Sequence, residues 1–198
     1  KKPKICVLFW IFFSFFFIMD LSLNNHFQNW IQQFQNIETN LVQKMADKLF
    51  HRHIAQKNIW IIGIGKSGLI GEYFCRMLQS IGICCQMLDV TNSLHGDIGA
   101  IRPLDVVIFI SKGGRNKEFI NIINSCHSRN IETWGICCNQ ESTLMSLIPR
   151  DNHYLLPNPI EDNNWNVMPT TSVLCFHYFF ILQLFIYFYY SCINNFKK

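Results

Sequence analysis

The chain of 198 residues is long enough for one well-buried domain and too short for two large ones. Hydrophobic residues make up 49% of it and charged residues 15%, a balance that excludes an intrinsically disordered protein. The net charge of +4 comes partly from the two termini, and no basic stripe interleaved with aromatic residues lies between them, which argues against nucleic acid as a partner.

The chain opens with an apolar leader at 1–18. In it, "ICVLFWIFFSFFFI" follows the basic "KKPK" and so imitates a signal peptide, but no small-residue cleavage site comes after it. Three interpretations stay open: upstream sequence translated with the protein, a membrane anchor, or an extra hydrophobic helix. The stretch "MDLSLNNHF" reads like an ordinary protein start and favours the first.

Residues 19–57 are predicted to form an N-terminal helical segment. Between 23 and 57, apolar residues recur at spacings of three and four, which is the pattern of an amphipathic helix. We therefore predict one long helix ahead of the first strand.

From 58 to 193, predicted strands alternate with predicted helices. Five short apolar runs have the length and composition of strands: "NIWIIGI", "ICCQMLD", "DVVIFIS", "IETWGICCN" and "HYLLP". This alternation predicts an α/β fold with a doubly wound parallel sheet. One domain at 58–193 accounts for the pattern, with a short tail at 194–198.

The last predicted helix is unusually apolar. Its sequence "SVLCFHYFFILQLFIYFYYSCI" is long enough to span a bilayer. The helix also contains His177 and Gln183, and the competing interpretation is a buried core or dimer helix.

The nine cysteines favour buried, reduced thiols in a cytosolic protein. No CxxC motif occurs, and two Cys-Cys pairs lie in apolar, strand-like runs. The close histidine pair in "HRH" has no cysteine or carboxylate at matching spacing, so we predict no metal site.

Two glycine-rich loops follow predicted strands. "GIGKSG" fits neither the dinucleotide fingerprint nor the Walker A pattern, but Gly65, Lys66 and Ser67 at a helix start can form a compact anion-binding nest. The second loop, "SKGGRNKE", supplies another hydroxyl, flexible backbone and a guanidinium that can grip phosphate. Since ligands bind outside the carboxyl ends of parallel strands, we predict one phosphorylated small molecule between the two loops.

Three motifs carry a resemblance to a known family. "GIGKSGLIG", "LHGDIGAIRPLDVVIFIS" and "MPTTS" resemble, in order and spacing, the sugar isomerase (SIS) domain of arabinose-5-phosphate isomerases of the lipopolysaccharide and capsule pathway. The resemblance implies a three-layer sandwich with a five-stranded parallel sheet, preceded by an N-terminal helix. It also implies a cytoplasmic homodimer or homotetramer that needs no cofactor and interconverts D-arabinose 5-phosphate and D-ribulose 5-phosphate. On this basis membrane contact is the minority interpretation of the last helix.

The resemblance also implies roles for individual residues. Lys66, His95 and Glu161 match catalytic positions, with Glu161 as the carboxylate base and His95 as a proton carrier. The predicted substrate- and phosphate-binding residues are Gly65, Ser67, Ser111, Gly113, Gly114, Arg115, Thr170 and Thr171.

Departures from the family pattern leave a second function open. The family's phosphate loop usually reads S-x-S-G-E-[ST], whereas here Gly113 replaces the second serine and Arg115 replaces a carboxylate assigned to catalysis. Residues 163–166 also replace the usual Cys-Pro-Leu-Gly, and the sequence ends before the family's CBS modules. A sugar-phosphate-binding or regulatory protein without catalysis is therefore the alternative prediction.

Overall fold

The computed structural model describes residues 24–162 and 168–195. The predictions for the leader at 1–18 lie outside the described residues, and the tail predicted at 194–198 begins inside the last helix. The five strands are β1 Ile59–Gly63, β2 Cys85–Met87, β3 Val106–Ser111, β4 Glu132–Cys137 and β5 His153–Leu155. The helices are α1 24–35, α2 Thr39–Ile54, α3 Lys66–Ser80, α4 Val90–Leu94, α5 Glu118–Ser128, α6 Thr143–Leu147 and α7 Thr171–Asn195, with short 3-10 turns at Asp97–Ala100 and Arg150–Asn152.

The strands form one parallel sheet in the order β2-β1-β3-β4-β5. The central strand β3 is buried along its whole length, as expected for a strand covered on both faces. The predicted parallel sheet is confirmed, and all five strand-like runs of the sequence belong to it.

Helices cover both faces and give three layers. On one face, Ile61 and Ile108 of the sheet pack in a cluster with Phe74 of α3 and Phe179 of α7, to which α2 also contributes. The opposite face forms a second cluster with residues of α5 and α6, among them Phe119. The β-strands alternate between these clusters because successive side chains point to opposite faces of a sheet.

The single long helix predicted at 23–57 is wrong, because α1 and α2 are separate. Ile37 lies in the break and is itself buried in the core, and Glu38 has an extended backbone with φ −65° and ψ 122°. On the α1 side Phe34 stacks on Tyr178 of α7, and α2 also packs against α7, so the spacing of three and four continues across the break. Periodicity alone therefore did not reveal the turn.

The apolar helix α7 packs against α2 and α3. Thr171–Cys192 is long and apolar enough to cross a bilayer, yet half of this stretch is buried inside the fold. Phe176, Phe179 and Phe180 belong to the core, and Phe74 of α3 stacks on Phe180 with ring centroids 4.1 Å apart. The helix thus serves as a core helix in the described fold.

Candidate active site

The strand order creates a crevice at the carboxyl edge of the sheet. β1 and β3 are neighbours, with Gly63 opposite Ile110. The helix after β1, α3, lies on one face of the sheet, whereas the helix after β3, α5, lies on the other. Because the two connections leave in opposite directions, the loops that follow β1 and β3 flank a topological switch point, which is where open α/β sheets bind ligands.

The first loop at this edge begins helix α3 without a side-chain cap. Gly65 is the N-cap residue, its φ is +59°, and no side chain accepts a hydrogen bond from the first turn. A Cβ on Gly63 would meet the backbone of Gly68 at 2.8 Å, so glycine at both positions lets the strand end and the helix start touch. Lys66 is exposed and Ser67 half-buried at this helix start. Backbone N–H groups at a helix start without a side-chain cap can donate hydrogen bonds to an anion.

The second loop is held together by its own side chains. The buried Ser111 hydroxyl donates to Asn116 Oδ1 at 2.7 Å and accepts from the Gly114 backbone N–H at 3.0 Å. Gly114 has φ +61°, and a Cβ there would overlap the side chain of Ser142. Gly113 and Arg115 are exposed. The loop is therefore preformed, with Arg115 on its surface.

Glu161 is buried at the N-terminus of α7, where its carboxylate accepts several hydrogen bonds. Its Oε2 accepts from the backbone N–H of Thr170 at 2.8 Å and of Ser172 at 3.2 Å, and its Oε1 accepts from the Ser172 hydroxyl. Lys112, from the second loop, donates to Oε1 at 2.5 Å. The Glu161 side chain is 1% exposed and that of Lys112 is 33% exposed. The carboxylate thus joins the second loop to the start of α7.

These contacts determine the charge of Glu161. Burial alone raises the pKa of a carboxyl, but the hydrogen bonds from Lys112, Ser172 and Thr170 outweigh it and lower the pKa of Glu161 to about 2. The carboxylate is therefore ionised at neutral pH. Because a general base works best with a pKa near the operating pH, Glu161 is a weak base while these contacts persist.

The neighbouring Asp162 links α7 to α1. Its carboxylate accepts hydrogen bonds from Thr171 at 2.8 Å, from Asn29 at 3.1 Å and from the indole of Trp30, and it pairs with His26 at 3.3 Å. The hydroxyl of Thr171 is thus engaged inside the protein. Burial raises the pKa of Asp162, but these donors lower it overall.

The structure brings some of the predicted residues together and leaves others apart. Thr170 contacts Glu161, and Gly65, Lys66 and Ser67 share the first loop. His95 is exposed at the end of α4, beyond β2, and no described contact joins it to Lys66 or to Glu161. The roles assigned to all of these side chains stay predictions.

Lys112 and Ser172 are the contacts that sequence reasoning missed. Lys112 lies in the loop that was singled out for phosphate binding, so its place was a usable signal. Its partner Glu161 is 49 residues away in the sequence. No pattern in the sequence joins the two.

A surface cavity of about 530 Å³ lies beside the first loop. Gly65, Arg76 and Asp89 are among its lining residues, and it runs between α3 and β2. In the part of the chain that the structure describes, no group of three or more His, Cys, Asp or Glu side chains could hold a metal ion. The eight described cysteines are free, and six of them are buried.

Comparison with known proteins identifies the family. The sequence profile of the SIS domain matches residues 54–187, which is most of the chain. The chain belongs to the SIS domain family. The match covers both glycine-rich loops and most of α7, so the resemblance carried by three short motifs extends over the whole sheet.

Relatives and solved structures agree with this assignment. A probable arabinose 5-phosphate isomerase of Haemophilus influenzae is 30% identical over 149 residues, which is 70% of this chain and 43% of the relative. A candidate sugar-phosphate isomerase of Listeria monocytogenes has the same fold, with a TM-score of 0.77, 20% identity, and coverage of 88% of this chain and 90% of that one. An Escherichia coli protein solved in complex with a sugar phosphate has a TM-score of 0.73 and 22% identity, with 86% and 91% covered.

The matched region spans less than half the length of that curated relative. The predicted SIS fold, a five-stranded parallel sheet between helices and preceded by an N-terminal helix, is confirmed. The chain has the fold of the sugar-phosphate isomerases.

Proposed function

We propose that this SIS domain isomerises a phosphorylated aldose and ketose, and that its substrates are D-arabinose 5-phosphate and D-ribulose 5-phosphate. The observation that carries the proposal is the pair of glycine-rich loops at the switch point between β1 and β3, one of which begins α3 without a side-chain cap. Similarity to a probable arabinose 5-phosphate isomerase and to a protein solved with a sugar phosphate supports this substrate class.

The phosphate group would bind between the two loops. Free N–H groups at the start of α3, with the hydroxyl of Ser67 and the cation of Lys66, attract a dianion. Gly113 and Arg115, which are exposed, would contact it from the second loop, whereas the N–H of the buried Gly114 already donates to Ser111. The exposed guanidinium of Arg115 can make two parallel hydrogen bonds to phosphate oxygens.

The reaction moves one proton between C1 and C2 of the sugar through an enediol. In this proposal Glu161 removes the C2 proton of the aldose and returns a proton to C1, while His95 moves the proton between the two oxygens. Lys66 stabilises the negative charge that develops on the enediolate. The Glu161 carboxylate is ionised and so has the charge state of a base, but its low pKa requires a further change in its surroundings before it can act efficiently.

A second function is favoured by Arg115. A carboxylate that the family assigns to catalysis is replaced here by a cation, which strengthens anion binding and removes a proton acceptor. Under this alternative the chain binds a sugar phosphate as a regulatory protein and does not convert it.

Glu161→Gln separates the two functions. We expect it to abolish interconversion of the two pentose phosphates while binding of both, measured by titration calorimetry, is retained or becomes stronger. Wild-type protein that binds them but does not interconvert them would support the regulatory function. Full activity in Glu161→Gln would remove Glu161 from the mechanism.

We also propose a cytoplasmic homodimer or homotetramer without bound nucleic acid, cofactor or metal. The aromatic side chains of Phe185, Phe188 and Tyr189 on α7 are exposed at spacings of three and four, which gives an apolar face for a second copy. Analytical ultracentrifugation tests this proposal, since a monomer at micromolar concentration would contradict it.

A further inference from the structure

Lys112 lies where the second loop meets the buried Glu161. It directly follows Ser111, the last residue of β3, and its backbone carbonyl accepts a hydrogen bond from the Cys138 N–H at 3.0 Å. From this fixed backbone the side chain reaches Glu161 Oε1 at 2.5 Å while staying one-third exposed. The ammonium group is therefore at the border between solvent and a buried carboxylate.

Glu161 has other partners that do not depend on Lys112. The backbone N–H groups of Thr170 and Ser172 and the Ser172 hydroxyl all belong to the start of α7, a helix of 25 residues. The positive end of this helix favours a negative charge. The carboxylate can thus stay in place and ionised if the lysine moves away.

A phosphate group bound by the second loop would lie next to the same lysine. Gly113 and Arg115 are exposed immediately after it, and lysine carries a compact charge on a flexible four-carbon stem. A phosphate monoester has up to two negative charges where the carboxylate has one. A phosphate held by this loop would therefore compete with Glu161 for the ammonium group.

We propose that Lys112 is a shared positioning residue that leaves Glu161 for the phosphate group of a bound sugar phosphate, so that substrate binding itself releases the catalytic base. This inference rests on the proposed function and adds a residue to it. Once one cation has left, the carboxylate is less stabilised and therefore more basic. The nearby thiols of Cys175 and Cys138 stay neutral and add no charge beside Glu161, since burial raises the pKa of Cys175 to about 11 and also raises that of Cys138.

The first test measures binding of inorganic phosphate and D-arabinose 5-phosphate by titration calorimetry. Lys112→Met should weaken both by about tenfold to a hundredfold, the effect of losing one charged hydrogen bond. Lys57→Met is the matched control, because it removes the same charge just before β1, at the edge of the sheet opposite the two loops. This control should change the dissociation constant of either ligand by less than about twofold.

The second test needs no substitution of Lys112. Glutamate labelled with ¹³C at the carboxyl carbon reports on Glu161, with the resonance assigned by its loss in Glu161→Gln. Adding inorganic phosphate to wild-type protein at pH 7 should shift this resonance and leave that of the exposed Glu141 in place.

The outcomes separate this inference from the proposed function. Suppose that wild-type protein converts the sugar phosphates. If Lys112→Met then binds phosphate as wild type does, the inference is wrong and Lys112 only supports the structure. The same conclusion follows if the Glu161 resonance does not move at saturating phosphate. If wild-type protein neither binds nor converts them, the proposed function is wrong and the inference falls with it.

Discussion

Replacing Glu161 by glutamine should destabilise the protein in a way that depends on pH. The carboxylate caps the start of α7 and pairs with Lys112 while it is 1% exposed. A fall of its pKa from 4.5 to about 2 corresponds to a stabilisation of about 3 kcal/mol at pH 7, since each pKa unit is worth about 1.36 kcal/mol. Glu161→Gln should lower the free energy of unfolding by about this amount.

The sign of the pH dependence follows from the lowered pKa. A carboxyl whose pKa is lower in the folded than in the unfolded protein stabilises the fold fully above the unfolded pKa of 4.5. That stabilisation disappears as the pH falls towards about 2. The difference between wild type and variant should therefore shrink from about 3 kcal/mol at pH 7 to less than half of that at pH 3.

Urea unfolding followed by tryptophan fluorescence at pH 7, 4 and 3 measures this difference. Glu141→Gln is the matched control, because Glu141 is exposed and its loss should change the unfolding free energy by less than about 0.5 kcal/mol. The reasoning is refuted if Glu161→Gln unfolds with the free energy of the wild type at pH 7. A loss that stays constant down to pH 3 would refute the electrostatic part alone.

Three further substitutions test other parts of the structure. Lys66→Met should weaken sugar-phosphate binding more than about tenfold. Because Lys66 is exposed, the substitution should leave the midpoint of urea unfolding in place. Unchanged binding would show that Lys66 is not part of the site. Gly114→Ala should lower the free energy of unfolding by about 1–3 kcal/mol, since the φ of Gly114 is +61° and the new Cβ meets Ser142. Gly99→Ala is the control, because a Cβ there meets open space, and it should leave the free energy of unfolding nearly unchanged. Asp162→Asn should speed amide hydrogen exchange in α1 through its weakened contacts with Asn29 and Trp30, and exchange rates equal to those of the wild type would contradict that role.

Much of the sheet could be predicted from sequence because its signals are local. The run "DVVIFIS" is continuously apolar and became the fully buried β3, Val106–Ser111. The glycines after β1 and β3 marked the two loops at the switch point, where the φ of Gly65 is +59° and that of Gly114 is +61°. Local composition and backbone requirements were enough to place these features.

Other features depend on contacts between distant parts of the chain. The turn between α1 and α2 is set by the burial of Ile37 in a core built from the whole domain. Resemblance to the family singled out Glu161, but its surroundings come from Lys112 in one loop and Ser172 in α7. Only the folded chain brings these groups together, so neither the capping role nor the low pKa of Glu161 could be predicted.

The most direct test of the central claim is an NMR experiment on wild-type protein with D-ribulose 5-phosphate in D₂O. The proposed enediol isomerase should produce D-arabinose 5-phosphate that carries deuterium at C2, because the proton removed by the base exchanges with solvent before it is returned. Saturable binding of the ketose without any conversion would contradict isomerase activity and identify a sugar-phosphate-binding protein with an isomerase fold.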